Sequence, residues 1–471
     1  MKKFKVRKGN FLKSKNSTSN MMYNLLICLI PFIIFATYKN GIYPVIKGYG
    51  NLYLVFKPLI FVVIASFSCI MVEYLYYLII RKERKTFNYL FSESFALIPG
   101  VFIGLIIPIN TPIWLLILGS MIASLSKMLM GGLGKNKLNP ALVGSLFITI
   151  IFSSFAGGYL NPLELDTISS ATPLANMTAS SYVLTYDNLV SPYGNLLDFF
   201  FGNIPGSIGE TSSFLCIIAF IYLVVNKVIK WRIPISYIGT VIIMSLIMCL
   251  SKDIGLWFIG FNILSGGLLF GAVFMATDPV TTPISHEGQI IAGILLGLLT
   301  MAIRYLTPLP EGVLVSILIV NITTLLINYF SVKLFSKRWI EVGIIIFLLL
   351  IVGGFSFVIG SKIHNKEIDD SYKIISKQKD NNTTTYQVSG RGYTGSNSIK
   401  LKIVFKEDDI IKIEVIESNE TYMKMIFNND YLEKIISNQD NLDDLDTISG
   451  CTYTSKYIKE IVDKTMKDYF E

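Results

Sequence analysis

Eleven apolar runs constrain this chain more than any other feature, because each is long enough, or nearly long enough, to cross a lipid bilayer as an α-helix. A helix needs about 20 apolar residues to span the ~30 Å hydrocarbon core. A composition that is 52% hydrophobic and only 16% charged also indicates a polytopic membrane protein. Several runs are short, so some of them can be broken or re-entrant helices. The predicted spans are 22–38, 53–80, 92–108, 112–130, 138–155, 213–229, 233–250, 255–277, 288–303, 311–331 and 340–361.

Basic residues mark one side of the membrane. Each basic loop follows an even-numbered span, and the N-terminus is also basic. Cytoplasmic loops carry the excess of Lys and Arg, so these stretches are predicted to be cytoplasmic and to reflect orientation in lipid, with no nucleic-acid partner. The same topology places the loop 156–212 and everything after about residue 362 outside the cytoplasm, in a protein of the plasma membrane. The basic stretches are 1–16, 81–85, 135–137, 227–232 and 333–338.

The pattern changes after the last span. Residues 1–363 carry 26 basic and 13 acidic side chains, whereas residues 364–471 carry 15 and 20. Alternating apolar and polar residues predict a β-hairpin there, and helical patterns follow it. The predicted elements are strands 398–405 and 410–415 and helices 431–437 and 455–470.

The predicted fold is therefore a polytopic α-helical membrane protein, with about 10–11 transmembrane helices and a small C-terminal α+β extracytoplasmic domain. The predicted parts are a cytoplasmic N-terminal segment 1–21, a membrane domain 22–335 with the outer loop 156–212, an eleventh span and stalk 336–385, and a soluble domain 386–471.

Two short segments have nearly the same form. D-T-I-S-G-C-T at 446–452 lies in the soluble tail, and D-T-I-S-S-A-T at 166–172 lies in the predicted outer loop. A Ser-Gly pair before a threonine makes a tight turn with an exposed hydroxyl, and glycine permits a bulky ligand to approach closely. The alternative is an ordinary turn, in which Asp446 and Ser449 act as turn and N-cap residues for a helix starting near Ser455.

The soluble tail resembles the FMN-binding domain of the G subunit of Rnf-type complexes and of the C subunit of the Na⁺-translocating NADH:quinone reductase. The resemblance implies FMN attached through a phosphodiester to Thr452, with Asp446, Ser449 and Gly450 forming the motif around it. Cys451 stands where that family usually has alanine. The matching residues are G-R-G-Y at 390–393, Glu420-Thr421 and D-T-I-S-G-C-T-Y-T-S at 446–455.

Residues 20–331 resemble the D subunit of the Rnf complex, which is homologous to the B subunit of the quinone reductase. That resemblance implies a second covalent FMN on Thr172, preceded by Ser169 and Ser170, with Ser170 standing where glycine is common. Thr167 precedes the core of the motif and is an unlikely acceptor. The matching blocks are G-G-L-G-K-N at 131–136, N-P-A at 139–141, P-G-S-I-G-E-T-S at 205–212, S-G-G at 265–267 and F-M-A-T-D-P at 274–279.

Together the resemblances imply an electron-carrying membrane subunit of an Rnf-type complex, coupled to Na⁺ or H⁺ movement. They imply other complex subunits and an FAD-dependent FMN transferase as partners, and they leave open a further flavin such as riboflavin. The sequence has no cysteine cluster or nucleotide fingerprint, so no catalytic or metal site is predicted and the chain is not expected to oxidise NADH alone. Two alternatives remain: a flavinylated extracellular electron-transfer module without ion pumping, and a small-molecule (flavin) transporter of the same fold.

Three acidic residues in apolar surroundings are further candidates. Glu73 lies within a span and is predicted to face the bundle interior or an ion path. Glu210 and Asp278 lie at span edges, where an N-cap or an Asp-Pro turn is the alternative for Asp278. The stretch 131–136 lacks the spacing of a phosphate-binding P-loop and is predicted to be a tight turn between helices.

Overall fold

A computed structural model describes most of the chain, in a large helical part up to residue 363 and a small α+β part from residue 372 onward. The described residues are 17–48, 52–155, 158–160, 171–179, 182, 184–307, 309, 311–334, 338–361, 363, 372–380, 383–392, 395–407, 409–418, 423–439, 442, 445–448 and 451–470.

Every predicted span contains an apolar helix, which confirms the polytopic helical class. Among the described residues, six helices are long and apolar enough to cross a bilayer alone. A pair of half-helices, Trp257–Leu264 and Leu268–Met275, is bent by 60° at a short break and counts as a seventh span if the two halves cross as one unit. Shorter apolar helices occupy the other predicted spans. The long helices are Thr18–Ile46, Leu52–Ile80, Arg232–Lys252, His286–Leu306, Val313–Ser331 and Val342–Ser361, and the shorter ones are Leu97–Ile106, Ile113–Leu129, Pro140–Ile151 and Ser213–Val225.

The α-helices of this part are labelled in chain order. They are α1 Thr18–Thr37, α2 Tyr43–Ile46, α3 Leu52–Leu75, α4 Phe87–Ser92, α5 Leu97–Ile106, α6 Ile113–Leu129, α7 Pro140–Leu146, α8 Pro173–Ala179, α9 Tyr186–Leu189, α10 Leu196–Phe201, α11 Ser213–Val225, α12 Arg232–Lys252, α13 Trp257–Leu264, α14 Leu268–Phe270, α15 His286–Leu306, α16 Val313–Leu334 and α17 Arg338–Ser361. Helix α17, the predicted eleventh span, packs against α12 and α15.

Several of these helices widen into a single π-helical turn, a feature that is often found at functional sites. In the turn Tyr38–Ile42, which follows α1, Lys39 and Asn40 are both buried. Lys39 Nζ donates to Thr211 Oγ1 at 2.9 Å, and Asn40 Nδ2 donates to the Ile208 carbonyl at 2.9 Å. These bonds tie the segment before α11 to the first span.

Glycines allow α3 and α5 to pack backbone against backbone. A methyl group on Gly100 would lie 2.4 Å from Ser66 Cα, and one on Gly104 would lie 2.7 Å from Val62 Cα. Helices in membranes associate largely through such close packing of small residues. The α3–α5 contact is therefore sensitive to a single added carbon.

We expect Gly100→Ala to lower the free energy of unfolding by about 1–3 kcal/mol, because the new methyl group collides with backbone that cannot move aside. Gly239→Ala in α12 is the matched control. Among the described residues no heavy atom lies within 4 Å of the position its methyl group would take. Alanine favours a helix over glycine by up to about 1 kcal/mol, so the control should be neutral or stabilising. Thermal unfolding in detergent measures both, and equal losses would contradict the packing argument.

The C-terminal part is a four-stranded antiparallel sheet in the order β1-β2-β3-β4, with helices packed on it. Its core joins Tyr386, Ile403 and Phe405 of the sheet to Ile458 and Val462 of the last helix. The predicted hairpin is confirmed as β3 and β4, with Ile403 opposite Ile413. The elements are β1 Tyr372–Asp380, β2 Thr383–Gly392, β3 Gly395–Lys406, β4 Asp409–Ser418, α18 Met423–Asn428, α19 Tyr431–Ser437 and α20 Thr452–Phe470.

Two boundaries differ from the sequence predictions. The stalk predicted to extend to residue 385 contains β1, which pairs with β2 so that Lys377 lies opposite Tyr386. β1 is a lysine-rich edge strand, a composition that discourages edge-to-edge association and also hides the strand pattern. Helix α20 begins at Thr452 and not near Ser455, whose Oγ donates to the Cys451 carbonyl at 2.8 Å from inside the helix.

Candidate functional site

Thr172 immediately precedes α8 and is buried, with 4% of its surface exposed. Its Oγ1 accepts a hydrogen bond from the Ala175 amide at 3.2 Å, as an N-cap does. The buried Tyr193 donates from its hydroxyl to the Ala171 carbonyl at 3.0 Å, which fixes the backbone before Thr172. The predicted neighbours Ser169 and Ser170 lie outside the described residues.

Thr452 is the first residue of the 19-residue helix α20. The amide groups of a first helical turn have no intrahelical acceptor, and the helix dipole favours an anion there. Cys451 is buried in the core of the domain, whereas Asp446 is exposed. The Ile448 amide donates to Ser455 Oγ at 3.2 Å, linking the motif to the helix. The Thr452 side chain lies outside the described part of the structure, as do Ser449 and Gly450.

The bent span breaks at the S-G-G sequence 265–267, one of the blocks that the sequence singled out. Gly266 there has φ +65°, in the left-handed region that favours glycine. The buried Arg304 donates from Nη1 to the Asn262 carbonyl at 2.7 Å and from Nη2 to the Ser265 carbonyl at 3.2 Å. Its guanidinium thus supplies hydrogen bonds at the end of α13, where a break leaves carbonyls without intrahelical partners.

Two carboxylates lie against the same break. A methyl group on Gly267 would lie 2.5 Å from Glu210 Oε2, and one on Gly266 would lie 3.5 Å from Glu311 Oε1. Both glutamates lie in connections between helices. Burial raises the pKa of Glu210, and the nearby Glu311 raises it further. Burial also raises the pKa of Glu311, although the charge of Arg304 opposes that rise.

The sequence identified Glu210 but missed its charged neighbours, namely Lys39, Arg304 and Glu311. The available signal was a single charge within or beside an apolar run, which marks an inward-facing functional candidate. The same signal would have identified Lys127. Nothing local to any of these residues indicates which partner it meets.

Glu73 lies in the bundle interior, as predicted, and it is paired there. Lys127 Nζ lies 3.1 Å from Glu73 Oε2, and the Ser94 hydroxyl donates to Oε1. Lys127 Nζ also donates to the Ser94 carbonyl at 2.6 Å. Both charged side chains are almost completely buried, at 0% and 3% exposure. A buried charge is tolerated when it is paired and hydrogen-bonded in this way.

A cavity lies beside this pair. Gly131, Gly132 and Gly134 all have positive φ, so the G-G-L-G-K-N stretch forms a turn as predicted. Asp278 borders the cavity from a turn in which its Oδ1 accepts from the Val280 amide at 3.2 Å, and burial raises its pKa to about 6. The lining includes Met22, Phe95, Phe102, Lys127, Asn136, Asn139, Ala141, Phe274 and Asp278.

Apolar spans with a broken helix, a buried ion pair and an additional small α+β domain define a multi-pass membrane protein with a separate globular module. Residues 5–337 match the NQR2, RnfD, RnfE family, and residues 392–467 match the FMN-binding domain. The chain belongs to the NQR2, RnfD, RnfE family and carries an FMN-binding domain at its C-terminal end.

Curated relatives agree with this assignment. The chain is 32% identical over 332 residues to the D subunit of the Na(+)-translocating ferredoxin:NAD(+) oxidoreductase complex of Acetobacterium woodii, a match that covers 69% of this chain and 93% of the relative. It is 30% identical over 340 residues to the D subunit of the proton-translocating ferredoxin:NAD(+) oxidoreductase complex of Clostridium ljungdahlii, covering 71% and 97%. It is 31% identical over 255 residues to the B subunit of the Na(+)-translocating NADH-quinone reductase of Chromohalobacter salexigens, covering 52% and 60%.

Proposed function

We propose that the chain is an electron-carrying subunit of an ion-translocating Rnf-type complex, with one FMN covalently attached to Thr172 and a second to Thr452. The observation that carries this proposal is the joining of a membrane region of the NQR2, RnfD, RnfE family to an FMN-binding domain in one chain. FMN would supply the electron chemistry, while the protein would supply attachment and position.

The position of Thr452 suits a phosphodiester. Thr452 opens α20, so a phosphate on this residue would lie at the positive end of a long helix, where the helix dipole favours an anion. Asp446, Ser449 and Gly450 would form the turn that presents it. Cys451 points into the domain core and would not compete as an attachment point.

The position of Thr172 leads to a different expectation about how the flavin is attached. In the unmodified chain its hydroxyl is buried and caps α8, so it must leave this position before a transferase can reach it. Tyr193 holds the preceding carbonyl, and Ser169 and Ser170 would complete the attachment turn. Modification at Thr172 therefore depends on opening this loop, through the action of an FAD-dependent FMN transferase.

The proposed topology follows from the basic loops. The N-terminus lies in the cytoplasm, and the segment around Thr172 and the FMN-binding domain lie on the outer side of the plasma membrane. The proposed division is a cytoplasmic segment 1–21, a membrane domain 22–335 and an anchor beginning at 336. Within the predicted stalk, the described sheet begins at Tyr372. Other subunits of the complex would deliver electrons to this chain, and lipid would surround its spans.

We also propose that the cavity beside Asn136, Asn139 and Asp278 holds a non-covalent flavin such as riboflavin. The cavity combines aromatic walls with a few polar groups, as small-molecule sites do. Ala141→Phe places a ring in this space. We expect the variant to lose the flavin that denaturation releases from wild type, while its covalent flavin is unchanged. Loss of both kinds of flavin, or of neither, would contradict this assignment.

The function itself is tested by ion movement. The complex containing this chain is reconstituted in liposomes, and Na⁺ and H⁺ uptake are followed while electrons pass through it. We expect uptake with the wild-type chain and at least a tenfold loss of electron transfer and uptake with the Thr172→Val, Thr452→Val chain. Electron transfer without ion movement would favour the extracellular electron-transfer module. A chain without covalent flavin that moves flavin across the bilayer would favour the transporter.

A further inference from the structure

The break in the bent span gathers ionisable groups that electron carriage does not use. Glu210 approaches Gly267 and Glu311 approaches Gly266, so both carboxyls lie against consecutive residues of one backbone. The other ionisable groups that face them are Lys39, Tyr159, Cys216 and Arg304. Lys39 belongs to the first span, Tyr159 to the connection after α7, Cys216 to α11 and Arg304 to α15. Elements far apart in sequence therefore meet at the break.

The two cations near the pair direct their hydrogen bonds to neutral oxygens. Arg304 donates to the carbonyls of Asn262 and Ser265, and Lys39 donates to Thr211 Oγ1. Within the described ranges, no salt bridge joins either carboxylate to a lysine or arginine. The cations reduce the repulsion between the carboxylates without supplying the short charge-assisted bonds that stabilise a buried anion best.

A second observation indicates a small polar ligand. Ser265 Oγ and Arg304 Nε are both buried in the break, and among the described residues neither has a hydrogen-bond partner. Both side chains are completely buried. Buried polar atoms are nearly always hydrogen-bonded, to the protein or to a small ligand such as water. An unpartnered hydroxyl and an unpartnered N–H on adjoining groups suit a water molecule that relays a proton.

We propose that Glu210 and Glu311 form a proton-binding site at the helix break, in which the pair holds one proton at neutral pH. The proton comes from water and converts one carboxylate to a carboxylic acid, and it returns to water when that acid ionises. Two like charges in a low-dielectric site favour such a singly protonated state, whose proton belongs to the pair and not to one member. Ser207, which hydrogen-bonds to Glu210, and the Tyr159 hydroxyl would orient the pair.

The site lies next to the segment that carries Thr172. A methyl group on Gly266 would lie 2.8 Å from Leu174 Cδ1, and Leu174 follows Thr172 by two residues. Negative charge added to this segment would favour protonation of the pair through a low-dielectric interior. The proton-binding site itself does not depend on the proposed flavin attachment.

Infrared difference spectroscopy of the full chain in lipid nanodiscs tests the proposal. Ordinary carboxyls ionise near pH 4, so a protonated-carboxyl band that persists to neutral pH and disappears only on further alkalinisation reports a buried site. All chains in this experiment carry Asp278→Asn, because burial also raises the pKa of Asp278. We expect one such band per chain. Glu210→Gln and Glu311→Gln should each lower the pH at which the band disappears, because the remaining carboxylate has lost its acidic neighbour while burial and both cations remain. The exposed Glu93→Gln is the matched control and should retain the band.

Each outcome of this experiment either supports or overturns the proton-binding site. A band of unchanged size and unchanged pH dependence in both glutamine variants would overturn the proposal. Loss of the band on adding Na⁺ at constant pH would also overturn it, because the site would then take a metal cation. Glu210→Asp and Glu311→Asp keep the carboxyl and should shift the band's midpoint without removing it, which guards against a folding defect. Covalent flavin, counted in the same samples, should be unchanged in all these variants. Its absence would reject the attachment proposal and leave the proton site standing.

Discussion

A chain with both Thr172→Val and Thr452→Val is expected to carry no covalent flavin. Valine keeps the branched shape of threonine but has no hydroxyl, so a phosphodiester cannot form. Expressed with the transferase, the wild type, the two single variants and the double variant should retain two, one, one and zero flavins per chain. In-gel fluorescence after denaturation counts the flavins, and the masses of the peptides that contain residues 172 and 452 locate them.

Neighbouring threonines provide matched controls for this result. Thr167 and Thr447 occupy the same place in the two related segments, two residues before each serine pair or Ser-Gly pair. Thr167→Val and Thr447→Val should therefore both retain two flavins. Fluorescence that persists in the double variant would mean that other residues are the acceptors. Labelling that placed residues 172 and 452 on opposite sides of the membrane would reject the proposed topology.

Removing one member of the buried Glu73–Lys127 pair should cause the largest loss of stability. Lys127→Met leaves the Glu73 carboxylate and the Ser94 carbonyl without their cationic donor in a fully buried position. Breaking a buried ion pair in this way costs about 3–5 kcal/mol, because an uncompensated charge remains. Equilibrium unfolding in mixed micelles would measure the loss.

Two further variants make this test specific. Lys85→Met breaks the Lys85–Glu83 pair, whose side chains are 30% and 55% exposed, and should cost far less stability than Lys127→Met because water screens an exposed pair. Glu73→Leu combined with Lys127→Met removes both charges and should recover most of the stability, because apolar groups replace a costly buried pair. If Lys127→Met and Lys85→Met cost the same, or if the double variant is as unstable as Lys127→Met alone, the buried pair is not the source of the loss.

The helices of the membrane part could be predicted because their signal is local. Each span is a run of apolar residues whose length matches the bilayer, so summing hydropathy along the chain finds it without knowledge of its neighbours. The hairpin β3–β4 was predictable for the same reason, through its alternation. β1 was missed because K-I-I-S-K-Q-K-D places apolar residues side by side and lysines around them. Only its pairing with β2 makes it a strand.

The candidate attachment segments were likewise local, since each is a short motif that ends in a threonine. Their surroundings were not predictable. The burial of Thr172 depends on Tyr193 and Ala175, and the hydrogen bond from Tyr193 to the Ala171 carbonyl spans 22 residues. The helix that opens at Thr452 begins three residues before the predicted start at Ser455, because Ser455 bonds inside the helix and does not cap it.

By itself, the sequence determined a chain of apolar spans with recurring basic loops, two threonine motifs and an α+β tail, since all of these are properties of neighbouring residues. The tertiary structure alone decided that Glu73 meets Lys127 and that Lys39, Glu210, Arg304 and Glu311 converge on one break. A single charged residue hardly changes the mean hydropathy of a span. It indicates that the side chain needs a polar partner, but it does not indicate which residue that partner is. The partner is selected by helix packing, which places residues far apart in sequence around one buried point where the low dielectric makes their charges interact.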